Sequence, residues 1–339
     1  MKSVKKNLTT VLAIILIILF FSLRNEFDAV LKQLLKVDIR FLLLSIFCII
    51  VFWTFEAMAL GTFVRKNDKT YNYLFPFGMT LATQFFNGIT PFSSGGQPMQ
   101  IYYMTRKNID IHNATNICIQ SLTVHQIVLV CINIIVIVYQ STTGFLANPV
   151  NKKLMWLGFG VNLAILLAFY AVSYMPRFNY FISNTILEFL HKVRVVKDVQ
   201  RQRRKLERFI SEYHISTENL LNNKMDFLCA ILYTFLKLIA FNSIVYFIIR
   251  STGMSGISYI TAMMSSISVI SVAAVIPSPG ASGGAEYAFL MFFGAYMGRA
   301  EVIAIMLVWR FVTYYLGLIV GFIASVWLDK KYLSIVLRQ

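Results

Sequence analysis

Apolar residues run along this chain in long stretches rather than alternating with polar ones. A helix needs about 20 residues to cross roughly 30 Å of hydrocarbon, and six stretches supply them, near residues 7–23, 41–64, 115–139, 154–175, 227–249 and 302–327. The first follows Lys2, Lys5 and Lys6 and is short, as in a secretory signal. Its flank Ser22-Leu23-Arg24-Asn25 offers no small-x-small cleavage site, so it reads as an uncleaved anchor. Two more apolar stretches, residues 74–105 and 259–298, are interrupted. One breaks at Asn87-Gly88-Ile89-Thr90-Pro91-Phe92-Ser93-Ser94-Gly95-Gly96-Gln97-Pro98 and the other at Ile276-Pro277-Ser278-Pro279-Gly280-Ala281-Ser282-Gly283-Gly284, where prolines and glycines prevent a continuous helix. Each limb is too short to span alone, which predicts two re-entrant helical hairpins.

The breaks share the pattern Pro-x-x-Ser-Gly-Gly, at 91–96 and again 188 positions later at 279–284. The apolar runs on either side keep nearly the same displacement, so the chain reads as two copies of span, hairpin, span. Connection charges set their orientation. Lys192 to Arg208 is the richest basic stretch and is assigned to the cytoplasm with both termini, whereas residues 140–151 carry no charge and read as external. Threading six spans through these assignments places residues 65–73 and 106–112 both in the cytoplasm. The first hairpin then dips from inside and the second from outside. The expected fold is an all-α polytopic membrane protein with six full spans plus two oppositely oriented re-entrant hairpins in an inverted repeat. It forms a single transmembrane domain over 1–339: a first unit at 41–139, a basic amphipathic linker at 176–226 and a second unit at 227–327.

Composition excludes the soluble alternatives. Hydrophobic residues make up 58% and charged residues 14% of the chain, and mean hydropathy is +0.67, against about a quarter charged in globular chains. The net charge of +16 would suggest nucleic acid in a soluble protein. In this apolar setting it reflects cytoplasmic connections and contact with anionic lipid, and no nucleic-acid partner is expected. In the linker, Ile186, Phe189, Leu190, Val193, Val196, Leu206, Phe209 and Ile210 recur at helical spacing, as suits surface helices on the inner leaflet. Cys48, Cys118, Cys131 and Cys229 lie in apolar runs without metal or redox spacing, and no cofactor, metal site or catalytic constellation is expected.

Broken backbone survives in hydrocarbon only where protein or water satisfies it, so two opposed hairpin tips imply a polar cavity between them. The half-helix N-termini after the Ser-Gly-Gly turns would favour an anionic group, held close to backbone that lacks Cβ. The candidate site comprises Asn87, Thr90, Ser93, Ser94, Gly95, Gly96 and Gln97 on the first hairpin. On the second unit it comprises Ser278, Ser282, Gly283, Gly284, Glu286 and Arg310. Gln84 adds a neutral hydrogen-bonding group. Glu286 with Arg310 is the expected ion pair lining the cavity, or else a brace holding the hairpin to its span. Glu56 with Lys237 is a second pair, and His125 reads as a packing histidine rather than a proton relay. Gly317 and Gly321 read as a helix-packing GxxxG pair, which permits a homodimer.

Asn87 to Gln97, the Pro-x-Pro-Gly-x-Ser-Gly-Gly-x-Glu run ending at Glu286, and Arg310 followed by Thr313, Tyr314, Tyr315 and Gly317 resemble the lysylphosphatidylglycerol synthase transmembrane family. The resemblance covers nearly the whole chain. It departs at Ser93, Ser94 and Gln97, where many relatives carry charge. It implies a bacterial cytoplasmic membrane protein of flippase-like type, binding an anionic or aminoacylated phospholipid headgroup. It also implies that any aminoacyl transfer belongs to a separate soluble domain or enzyme. Two rival readings remain: a membrane component of phosphatidylglycerol lysyltransferase, and a carrier for a small soluble anion.

Overall fold

The computed structural model describes residues 27–66, 71–175, 198–274, 276 and 278–336. The anchor expected at 7–23, most of the linker and Pro277 lie outside the described residues. Among the described residues five helices are long and apolar enough to cross a membrane, making this a multi-pass membrane protein. After a short helix α1 (Phe27–Leu34) come α2 (Ile39–Val64), the pair α3 (Leu74–Ile89) and α4 (Gly96–Arg106), then α5 (Ile111–Thr143) and α6 (Pro149–Tyr174). The basic helix α7 (Val199–Asn222) leads to α8 (Lys224–Ser251), the pair α9 (Tyr259–Ala273) and α10 (Gly284–Phe293), and a final span. That span runs through α11 (Arg299–Arg310), one π-helical turn (Phe311–Tyr315) and α12 (Leu316–Val336).

Helix starts coincide with short polar side chains that accept from otherwise orphaned amides. Asp38 accepts from Arg40, Asp110 from His112 at 2.9 Å, Asn148 from Val150 at 2.8 Å and Ser258 from Thr261 at 3.1 Å. The Asn148 cap is followed by Pro149 at the first helical position, where its missing N–H costs nothing. These caps lengthen α5 and α6 beyond the apolar runs that announced them, because a capped helix continues through polar residues that a hydropathy count discards.

Distant helices interlock: α2 packs along α8, and α3 packs along α12. The latter contact depends on Gly321: a Cβ there would lie 2.6 Å from both the Leu81 carbonyl oxygen and the Phe85 nitrogen. Gly317, the other member of the expected packing pair, meets nothing nearer than Gln84 Cβ at 3.5 Å, an ordinary contact. Only one of the two glycines is therefore required for close approach.

Several polar side chains inside the bundle are partnered across helices. Ser271 donates to Asn133 at 2.9 Å and Ser266 to Asn242 at 2.8 Å, tying α9 to α5 and α8. Gln126 reaches the Asn162 carbonyl at 2.8 Å, tying α5 to α6. We expect Gly321→Val to destabilise the protein by about 1–3 kcal/mol through overpacking. Gly317→Ala should stay within about 0.5 kcal/mol. Unfolding in detergent micelles checks both.

Candidate functional site

The α3–α4 and α9–α10 loops meet. Pro91 and Pro279, the first residues of the two matching motifs, pair in a single antiparallel bridge. Their φ angles match at the second and third motif positions and part at the fifth, −76° at Gly95 against +87° at Gly283. Phe92 and Ser93 have φ of 54° and 51°, and the equivalent Gly280 and Ala281 have 57° and 54°. Ser93 and Ser94 donate to the Thr90 and Pro91 carbonyls at 3.2 Å, and Ala281 and Ser282 donate to Ser278 and Pro279 at 3.1 Å. Left-handed backbone at Phe92, Ser93 and Ala281 is unfavourable for residues with a Cβ, and such strain concentrates at functional sites.

The copies differ in how each loop is closed. In the first, neutral side chains act: Thr90 Oγ1 accepts the Gly95 amide at 2.8 Å and Asn87 Oδ1 accepts the Gly96 amide at 2.8 Å. In the second, charges act. Arg310 donates through Nε to Glu286 Oε1 at 2.7 Å and through Nη2 to Oε2 at 2.8 Å, a bidentate pair. Glu286 Oε2 also accepts the Gly283 amide at 2.6 Å, and Arg310 reaches the Gly280 and Ala281 carbonyls at 3.5 and 3.3 Å. Both side chains are buried. The turn amides expected to face a ligand are thus already engaged by the chain's own Thr90, Asn87 and Glu286.

Tyr314 joins the loops. It lies in the π-helical turn, and its hydroxyl donates to the Gly88 carbonyl on α3 at 3.0 Å. A Cβ at Gly280 would collide with its ring. The Arg310 guanidinium lies 5.3 Å from the Tyr314 ring centre and 5.2 Å from that of Trp309, within cation–π range. A π-turn inserts one extra residue into the helix, a distortion common at functional sites.

Between the loops lies a cavity of about 310 Å³. Of the expected residues, Asn87, Ser93 and Arg310 line it, joined by Gln84, Trp309 and Tyr314. Gly280 and Ala281 contribute loop backbone. Thr90, Ser94, Gly95, Gly96, Gln97, Ser278, Ser282, Gly283, Gly284 and Glu286 are not among the lining residues; they build or brace the loops behind it. Two features have no strong sequence signal. Trp309 lines the cavity, yet its buried indole N–H has no acceptor among the described residues. Ser282 Oγ is buried beside the Tyr314 hydroxyl without a hydrogen bond of good geometry.

A family model described as the lysylphosphatidylglycerol synthase TM region matches residues 8–321. The chain belongs to that family. A comparison with curated proteins finds no match.

This family member also forms the second expected pair: Lys237 on α8 donates to Glu56 on α2. His125 on α5 lies within electrostatic reach of both, so three ionisable residues converge where packing alone was expected of the histidine. Phe241, one turn along α8 from Lys237, lines the cavity between the loops. Arg310→Met should cost about 3–5 kcal/mol, because it strands a buried carboxylate. The double variant with Glu286→Gln should cost less than the sum of the singles, since no unmatched charge remains; unfolding in detergent micelles measures both.

Proposed function

We propose that this protein is a lipid translocator that binds an anionic or aminoacylated phospholipid headgroup in the cavity between its two loops. The observation that carries this reading is a cavity between the two motif loops with the Arg310 cation in its wall and its counter-ion Glu286 outside the lining. Asn87, Ser93 and Gln84 offer further neutral hydrogen bonds. At about 310 Å³ the cavity suits a headgroup rather than a whole lipid; the acyl chains stay among lipids.

Two units with opposite entry sides, rocking against each other about the bound headgroup, would expose it alternately. The basic α7 and both termini lie in the cytoplasm of a bacterial cell in this reading, and the uncharged connection between α5 and α6 lies outside. The description of its family as a synthase region keeps one other reading in view, a membrane component of phosphatidylglycerol lysyltransferase. A catalytic role requires labelled lysine to pass from charged tRNA to lipid in the presence of the purified chain.

Proteoliposomes containing the protein and a fluorescent phosphatidylglycerol should show headgroup movement across the bilayer. Movement should fall at least about tenfold in the variant carrying Gln84→Leu and Ser93→Ala, the loss of two hydrogen bonds. Equal rates in both would remove the cavity from the mechanism, and uptake of soluble phosphate in place of lipid movement would indicate a small-anion carrier. In a variant lacking the native cysteines, Ser93→Cys should react with a small polar thiol reagent, whereas Ser282→Cys should be slow because that side chain is buried.

A further inference from the structure

The cavity between the loops is electrically one-sided. Among the described residues no aspartate or glutamate lines it, and its one cation is Arg310. Glu286 offsets the guanidinium at a distance, but both of its carboxylate oxygens are occupied. Oε1 accepts from Arg310 Nε at 2.7 Å, and Oε2 accepts from Arg310 Nη2 at 2.8 Å and from the Gly283 amide at 2.6 Å. What the cavity meets is the positive end of that pair.

Carbonyl oxygens are the other groups that receive an ammonium, and several at the loops are already engaged. The Gly88 carbonyl accepts from Tyr314 at 3.0 Å, and the Gly280 and Ala281 carbonyls accept from Arg310 at 3.5 and 3.3 Å. Asn87 Oδ1 accepts the Gly96 amide at 2.8 Å, which leaves the Asn87 side-chain N–H groups as its free end. A guanidinium has five N–H donors, and the bonds to Glu286, Gly280 and Ala281 use four of them. Free donors therefore remain at the loops, and a free carboxylate does not. Gln84 and Ser93 keep neutral oxygens, which bring no charge to set against an ammonium. Aromatic faces also receive cations, but the rings of Trp309 and Tyr314 already have the Arg310 guanidinium at 5.2 and 5.3 Å. A second cation there meets like charge.

We infer that the cavity selects phospholipids by charge, taking a headgroup whose only charge is its phosphate diester and excluding an aminoacylated one. A lysyl group sets two ammoniums against one phosphate, and juxtaposing like charges at a desolvated site is disfavoured. This inference rests on the translocator reading and narrows it to one of the two headgroup classes named there.

Proteoliposomes containing the full chain receive a trace of fluorescent phosphatidylglycerol or of fluorescent lysyl-phosphatidylglycerol, and movement is read with an impermeant quencher. Phosphatidylglycerol should move at least about tenfold faster than the lysyl lipid. Gln84→Glu, nearly isosteric, puts a carboxylate in the lining and should bring the two rates within about twofold of each other. Gln84→Leu removes the same polar group without adding charge, and should slow both lipids while keeping their ratio. Equal or faster movement of the lysyl lipid in the native protein overturns the inference and leaves translocation standing; so does a ratio unmoved by Gln84→Glu. If either protein moves neither lipid, retention of the two lipids by the purified protein, read by native mass spectrometry, gives the ratio in place of transport. In the native protein, loss of all movement refutes the translocator reading, while the retention ratio still decides the charge preference. Equimolar glycerol 3-phosphate should leave the phosphatidylglycerol rate unchanged. Inhibition by it would make the cavity a site for a soluble phosphate and overturn the lipid assignment.

Discussion

Backbone polar groups inside an apolar bundle must be paired within the protein, and the two motif loops are organised by that requirement. Each loop reverses direction through left-handed residues and leaves amides and carbonyls facing inward. Asn87 and Thr90 close the first loop, and the Glu286 to Arg310 pair closes the second. Tyr314 then ties one to the other through the Gly88 carbonyl. The guanidinium suits its position because one rigid fork can serve a carboxylate and two carbonyls together. A lysine there would satisfy fewer of these groups.

Much of this was legible in the sequence. Helix and break positions follow from apolar length and from proline and glycine. Charges inside apolar runs are expensive enough that Glu286 and Arg310, or Glu56 and Lys237, had to find each other. The shared Pro-x-x-Ser-Gly-Gly pattern signalled two similar loops, and their φ angles agree closely at the second and third positions of the motif.

What escaped was carried by residues with two natures. In a chain with 17 tyrosines and 4 tryptophans, hydropathy gives no reason to single out Tyr314 or Trp309, whose polar atoms matter here. The π-turn that holds Tyr314 has no signature at all. The expectation that the glycine amides face a ligand overlooked that short polar side chains nearby, Thr90 and Asn87, are well placed to capture them first. The convergence of His125 with Glu56 and Lys237 needs three helices in register, which one-dimensional spacing does not encode. Likewise the pinning of α7 on α5 rests on pairs about 90 to 100 residues apart, such as Tyr213 with Thr123 and Glu212 with His112.

The bridge between Pro91 and Pro279 joins residues that occupy the same place in two copies of one pattern. An antiparallel contact between equivalent residues fixes the register of one loop against the other. Adding or deleting a single residue before either proline would slide one partner out of register and leave the other facing a stranger. Loop length is therefore locked on both sides of the bridge, as it is at residues 144–148, where Leu146 is buried and the Phe145 carbonyl accepts from Tyr296 at 2.5 Å.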